Sequence, residues 1–449
     1  MSNNYPQALS PVELDLQDIQ GTVLRPRPIP YFGSYYVFTV DQADSALALL
    51  RRILPHITSA ANWDAPAENA WINLTLSFEG LRKLGMPPQI LNGFPREFMQ
   101  GMAARHVYLG DVGTNDPSLW DMPHGGNGFD IGLLLMAGSP ELRDAKAAIG
   151  NEAISGLGGV RMVYHLDVGL PSTMREHFGF VDGISRPFIE GQGGTPLPGQ
   201  PVAKAGEFLL GYENELGEIA AGPGPREFWQ NGTYISLRKI RQDVAAFRRF
   251  LRDNANTPEG QELLAAQMMG RWRSGCPLAL SPDKDDAELA NDRIRNNDFS
   301  YLKEDPDGHR TPTGCHIRRV NPRDALEGTV VEMRLHRILR RGATYGSLLP
   351  EGVMDDDGLD RGIVFAAINA NPGRQFEFIQ SQWINDGDFI SQGDRTDPIV
   401  GRHDRSDEFA VMRPRRRYRG LGAFSQTRGG EHLFLPGLGG IHWLVDNLG

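Results

Sequence analysis

Asp182 is the first residue of this chain whose setting suggests chemistry. It stands in Gly179-Phe180-Val181-Asp182-Gly183, inside the longer run Glu176-His177-Phe178-Gly179-Phe180-Val181-Asp182-Gly183-Ile184-Ser185-Arg186-Pro187. Glycines let a backbone approach a bulky planar ligand closely. A lone carboxylate among glycines and aromatic rings is desolvated, which raises its pKa and suits it to carrying a proton. A second centre lies far downstream, in Thr311-Pro312-Thr313-Gly314-Cys315-His316-Ile317-Arg318-Arg319. Imidazole and thiolate both ligate metals, but adjacent residues rarely present both side chains to one ion, so His316 and Cys315 are rivals. Taken alone, a histidine so placed reads as a structural residue of a turn. The third segment is His336-Arg337-Ile338-Leu339-Arg340-Arg341-Gly342-Ala343-Thr344-Tyr345-Gly346. As a strand ending in a glycine turn it alternates faces, so Arg340 points opposite to Leu339 and Arg341. Taken alone, it reads as a basic strand end at the surface.

The elements that must position these residues come in two similar halves. Aromatic and β-branched residues predict strands over 33–40, 71–76, 131–136 and 160–166. Asp41 is the expected N-cap of a helix with Leu47, Leu50 and Ile53 on its core face. Ser77 starts another helix, and Ser139-Pro140-Glu141 combines a capping serine, a first-turn proline and an early acid. The second half repeats the plan. A strand over 233–239 precedes a helix carrying Ile240, Val244, Phe247 and Leu251, and further strands are predicted over 330–339, 363–370 and 431–435. Arg374 to Trp383 reads as a helix. Strand–helix–strand units with returning strands predict an α+β fold, a sheet with helices packed on one face. The Gly/Pro-rich run 191–201 is the expected linker. The long irregular stretch 277–314 leads into His316 and is expected to be functional.

Composition excludes several classes. The chain of 449 residues is long enough for two or three domains, and no run approaches the length of a membrane span. A net charge of −10 argues against nucleic acid or anionic membrane as a partner. Two cysteines, Cys276 and Cys315, argue against a disulfide framework and fit a reducing compartment. The opening Met1-Ser2-Asn3-Asn4-Tyr5-Pro6 lacks the basic and apolar regions of a secretory signal, so a cytoplasmic protein is expected. The basic run Arg413-Pro414-Arg415-Arg416-Arg417-Tyr418-Arg419 is read as a solvated loop paired with nearby acids.

The three chemical segments resemble motifs of dye-decolorizing peroxidases, a family of haem enzymes. The first resembles the family's GxxDG motif. The second resembles its proximal-histidine motif, a small residue followed by His-Ile/Met-Arg-Arg. The third resembles an RIxRxxxxYG-type motif. Asp18 to Leu24, Met268 to Gly275, Arg374 to Gln380 and Gly429 to Gly437 resemble further parts of the family, so the likeness spans about residues 16 to 448. It is closest to the longer branch, which holds fungal and some bacterial enzymes. Departures are Cys315 where alanine is common and Val181 where a polar residue is frequent.

The resemblance implies two ferredoxin-like domains, 1–200 and 201–449, with one haem b per chain held between them mainly by the C-terminal domain. It implies His316 on the iron, Asp182 as acid and base, and Arg340 as charge stabiliser, with Arg337 as the fallback. Gly179, Gly183, Ile184, Arg319, Ile363, Phe365 and Asp397 are its expected cofactor-binding residues, with Asp397 paired to the ligand histidine. Tyr345 and Trp383 are its candidate surface radical sites for bulky substrates. Cys315 is expected to be a buried small residue and Cys276 a core thiol. Hydrogen peroxide and aromatic reductants are the implied substrates, with no nucleic acid and no membrane. The rival reading is a haem carrier without turnover; mere binding needs neither Asp182 nor Arg340. A non-haem hydrolase is disfavoured by the lack of a Gly-x-Ser-x-Gly elbow.

Overall fold

Strand-forming runs meet edge to edge in one antiparallel sheet. The computed structural model describes residues 12–61 and 69–448; the opening hexapeptide and its leader argument lie outside the described residues. In the first half the strands are β1 (Phe32–Val40), β2 (Ala70–Leu76), β3 (Ile131–Ala137) and β4 (Val160–Gly169). A short ribbon follows, β5 (Phe188–Ile189) beside β6 (Val202–Ala203), then β7 (Thr233–Gln242). The second half continues with β8 (Leu339–Arg340), β9 (Ala343–Tyr345) and β10 (Gly362–Asn369). The hairpin β11 (Phe409–Met412) and β12 (Arg415–Tyr418) precedes the long β13 (Ser425–Leu435).

The sheet order is β4-β1-β3-β2-β13-β7-β10-β8, with β9 also on β10. Each half therefore has its fourth strand beside the first, then the third, then the second. This is the strand order of a ferredoxin-like unit, used twice. The halves join where Phe434 pairs Leu76. Buried ion pairs, Arg238 with Asp111 and Arg105 with Glu377, also cross between them.

Alternation along each strand sorts side chains to two faces. Tyr36, Phe38, Leu74, Leu133 and Phe434 enter one core with the helices Ala43–Ile53 and Leu438–Asn447. Tyr35, Val37, Trp71, Leu237, Val364 and Leu433 enter the other. A third cluster gathers Phe178, Phe180, Val244, Phe247 and Ile399.

Several expected elements differ. The strand over 330–339 shrinks to Leu339–Arg340, preceded by a 3-10 turn at Met333–His336. Val330 is fully exposed and Arg334 pairs with Glu332, while Val331, Met333 and Ile338 pack on the Trp383 cluster, so the run's apolar side chains do not alternate as in a strand. The helix after β1 is entered at Gln42; Asp41 pairs with Arg161 instead. Ile240 belongs to β7, and the helix Val244–Asn254 begins after it. The run 373–384 is helical in wide π turns. The stretch 191–201 closes the β5–β6 ribbon, whose strands pair in parallel. Among the described residues no helix is long and apolar enough to cross a membrane.

Candidate active site

Asp182 sits on a loop that its neighbours hold tightly. Buried Glu176 accepts the amides of Phe178 (3.0 Å) and Phe180 (2.9 Å) and the Gln242 side-chain amide (2.7 Å). His177 bonds the Tyr345 carbonyl at 2.7 Å, and the Val181 amide donates to the Arg273 carbonyl at 3.2 Å. Phe178 and Phe180 enter the third core cluster on either side of Gly179. Of the two motif glycines, Gly183 (φ +83°) has open space where a Cβ would stand, as close approach of a ligand requires. Gly179 (φ +93°) differs: a Cβ there would lie 2.6 Å from Arg273 Nη1, so this glycine makes room for that guanidinium.

Arg340 reaches Asp182 because β8 alternates as expected. Leu339 is buried, Arg340 points out and Arg341 is buried. Arg340 Nη1 donates to Asp182 Oδ1 at 3.0 Å. Both side chains are nearly half accessible, 45 % and 47 %, yet Asp182 is densely surrounded by protein. Enclosure alone pushes the Asp182 carboxyl up, as expected from the sequence. Arg340, Arg27 and the Gly183 amide outweigh it, and the net position is below the ordinary carboxylate range. Arg27, whose Nη2 lies 3.6 Å from Asp182 Oδ2, was not singled out by any motif. Arg337 turns away and donates to the Val202 carbonyl.

His316 opens the short helix His316–Val320. Its Nδ1–H donates to Asp397 Oδ2 at 2.9 Å, while Asp397 Oδ1 accepts the amides of Ile399 (2.9 Å) and Val400 (3.0 Å). Asp397 is fully buried; burial raises its carboxyl, but His316, Arg319 and the amide donors bring it net below the usual range. This carboxylate fixes the tautomer and leaves Nε2 without a hydrogen-bond partner among the described residues, on a side chain 23 % exposed, in the state a metal ligand requires. Cys315 is fully buried, and burial pushes its thiol up to about 12, so it is held as a neutral core thiol. Cys276 is likewise buried and free.

One segment joins the two centres. A Cβ on Gly270 would meet Cys315 Sγ (3.0 Å) and Ile317 Cβ (3.2 Å); one on Gly275 would meet Ile184 Cδ1 (2.6 Å). The six-residue segment 270–275 thus touches the His316 helix at one end and the Asp182 loop at the other. Ile363 and Phe365 lie part-exposed on one face of β10, opposite buried Val364 and Ala366. Ile184 also lines a cavity of about 270 Å³ with Arg186, Phe188, Leu197 and Arg293.

These residues fit a haem. Among the described residues no three His, Cys, Asp or Glu side chains cluster as a metal site. The site offers the His316 imidazole with its Nε2 unbonded among the described residues, the part-exposed Ile363 and Phe365, and an open glycine edge at Gly183. Three expected contacts are corrected. Arg319 is 0 % exposed, and its guanidinium is spent on the carbonyls of Trp383, Arg395 and Asp386, so it is not free to meet a cofactor carboxylate. Tyr345 and Trp383 are 2 % and 1 % exposed, so neither is a surface site. Tyr345 packs on Lys239 and donates its hydroxyl to half-exposed Asp360; Trp383 lies against His336, Phe378 and Phe389.

No family model matches the chain. Curated relatives do. Peroxidase 2 of Mycetinis scorodonius is 33% identical over 468 residues, covering 97% of this chain and 88% of that protein. A dye-decolorizing peroxidase of Mycena epipterygia is 32% identical, covering 86% and 75%. Among solved structures, a dye-decolorizing peroxidase in complex with 2,6-dimethoxyphenol matches with a TM-score of 0.82 at 29% identity, covering 97% of this chain and 99% of that one. Likeness in sequence and in backbone over almost the whole length places the chain in a single family: it belongs to the dye-decolorizing peroxidases.

Proposed function

We propose that this chain is a haem peroxidase that reduces hydrogen peroxide and oxidises dyes, phenols and other aromatic donors in one-electron steps. One haem b per chain is held at His316. Bound haem supplies the iron that receives peroxide and the redox capacity that donors then refill. The chain's own residues supply the rest. His316 Nε2 ligates the iron, and Asp397, holding Nδ1–H, makes the imidazole a stronger donor. Ile363, Phe365 and Gly183 line the space and keep it apolar.

Asp182, a carboxylate at working pH, accepts the proton of incoming peroxide and returns it to the oxygen that leaves as water. Arg340, on the same carboxylate, stabilises the negative charge that grows as the O–O bond breaks. The depressed position of Asp182 supports activity at acidic pH, where an ordinary carboxyl would already be protonated.

The observation that carries this reading is the Asp182–Arg340 pair, joined at 3.0 Å and accessible to a small molecule. A haem carrier has no use for it. The neighbour seen with 2,6-dimethoxyphenol supports a phenolic donor here. The test is an absorption spectrum of the purified protein before and after peroxide. A Soret band that changes on peroxide, and then returns with a phenol, is expected. A haem band indifferent to peroxide would leave the carrier reading.

A further inference from the structure

Arg27 lies outside every helix and strand, in the segment that leads into β1. Its guanidinium covers the Tyr31 ring at 4.5 Å, and its side chain is 19 % exposed. Its Nη2 stands 3.6 Å from Asp182 Oδ2, while Arg340 Nη1 donates to Oδ1 at 3.0 Å. The two carboxylate oxygens are therefore unequal. Oδ1 is engaged by Arg340. Oδ2 feels the charge of Arg27 but takes no hydrogen bond from either arginine.

We propose that Arg27 is a positioning residue for the peroxide reaction, holding Asp182 as a carboxylate turned so that Oδ2 carries the proton. The inference rests on Asp182 being the proton carrier. An arginine at ion-pair distance favours the charged carboxylate, and one bonded to Oδ2 would compete with the proton. At 3.6 Å Arg27 does the first without the second. Its stack on Tyr31 fixes the guanidinium there.

The groups around the pair leave Asp182 as the acid-range titration. Asp182 faces Arg340 from β8, Arg27 from the segment before β1 and the Gly183 amide from its own loop. Arg27 faces Tyr31 and Tyr35, and burial pushes the Tyr35 phenol well above its ordinary value. Buried Arg341, within electrostatic reach of Arg27, donates to the Thr22 and Val23 carbonyls.

The test is the pH profile of the second-order reaction with peroxide, by stopped-flow absorbance on the haem-loaded protein. Arg27→Gln should move the acid limb up by roughly one pH unit, the low end of what an opposite charge at this distance does to an aspartate. Arg27→Lys should keep the parental limb, and haem content should be parental in both. A merely structural arginine would change stability or haem content without moving the limb. In an Asp182→Asn background, Arg27→Gln should move nothing further. A parental limb in Arg27→Gln overturns the proposal. Should that variant fail to fold, Arg27→Met, which keeps the stem on Tyr31, must show the same shift, and an unmoved limb there is equally decisive. If Asp182→Asn itself leaves rate and limb unchanged, the proton-carrier reading has failed. If Asp182→Asn removes the limb but loss of Arg27 does not move it, only the role of Arg27 has failed.

Discussion

Asp397→Asn is the substitution that most directly tests the proximal arrangement. It keeps shape and volume but removes the charge that accepts His316 Nδ1–H at 2.9 Å. The Ile399 and Val400 amides still need an acceptor, so the asparagine oxygen stays with them and its NH2 turns to the histidine. Two donors then face each other. The imidazole relieves this by moving its proton to Nε2, the atom that must ligate iron. Loss of a hydrogen bond to a charged group costs about 1.5–3 kcal/mol, or roughly 10- to 150-fold in an equilibrium constant. Loss of the partner of a metal-bound histidine costs about 10- to 100-fold in affinity or activity, a consistent range. The assay is transfer of haem from the protein to an excess of an apoglobin acceptor, with parent and variant compared at neutral pH. The variant should release haem one to two orders of magnitude more readily. The Asp397 carboxyl is held below the usual range, so its contribution is complete above its unfolded value and is lost only as pH falls through the folded one. Parent and variant should therefore converge only under strongly acidic conditions. Parental haem retention in Asp397→Asn at neutral pH would refute the argument that this carboxylate sets the tautomer.

Other outcomes follow from the same geometry. His316→Ala should lose most of its haem by pyridine haemochrome assay, while Cys315→Ala, removing a neutral buried thiol, should keep haem with an unchanged spectrum; the reverse result would reassign the ligand. Asp182→Asn and Arg340→Leu should both retain haem and slow the stopped-flow reaction with peroxide, each by about 10²-fold or more if its loss resembles that of one preorganised donor worth ~3 kcal/mol. Parental rates in both would place the reaction elsewhere. Glu431 is fully enclosed, and burial pushes its carboxyl up to about 7 against the opposing pull of the Gly125 and His432 amides. A raised carboxyl favours the fold below its unfolded value, and that advantage drains away as pH rises through the folded one. Thermal melts should therefore show a fall of roughly 3 kcal/mol between pH 4.5 and 7 attributable to this group, since each pKa unit is about 1.4 kcal/mol. Glu431→Gln should flatten that fall, and an identical pH dependence in the variant would count against it.

Local pattern made much of this protein readable. Runs of β-branched and aromatic residues marked β1, β2, β3 and β10 within a residue, and β7 within three, because period-2 burial leaves its imprint on composition. Ser139 caps its helix as its type and spacing predicted, accepting the Leu142 amide at 3.3 Å. The alternation of Leu339, Arg340 and Arg341 also survived, since it depends only on strand geometry. The three motifs pointed to Asp182, Arg340 and His316 for the same reason: each is a short stretch in which neighbours in sequence set the environment.

What the sequence by itself determined was the set of candidate reactive groups and most of the strands and helices that carry them. Tertiary structure decided their state. Asp182 looked like an aspartate raised by burial, but Arg340 and Arg27 arrive from distant segments and pull it net downward. No local pattern announces such a charge, because Coulomb interaction follows distance in space. Arg319, close to His316, looked available for an anion; only the packed fold shows its donors consumed by three carbonyls. Tyr345 and Trp383 looked accessible, and the second half of the sheet and the π-turn segment cover them. Joining two ferredoxin-like halves through Leu76 and Phe434 rests on an edge pairing that neither strand encodes alone. Residue type and spacing set chemistry and local conformation, whereas burial, ionisation and access are properties of whatever the whole chain brings alongside.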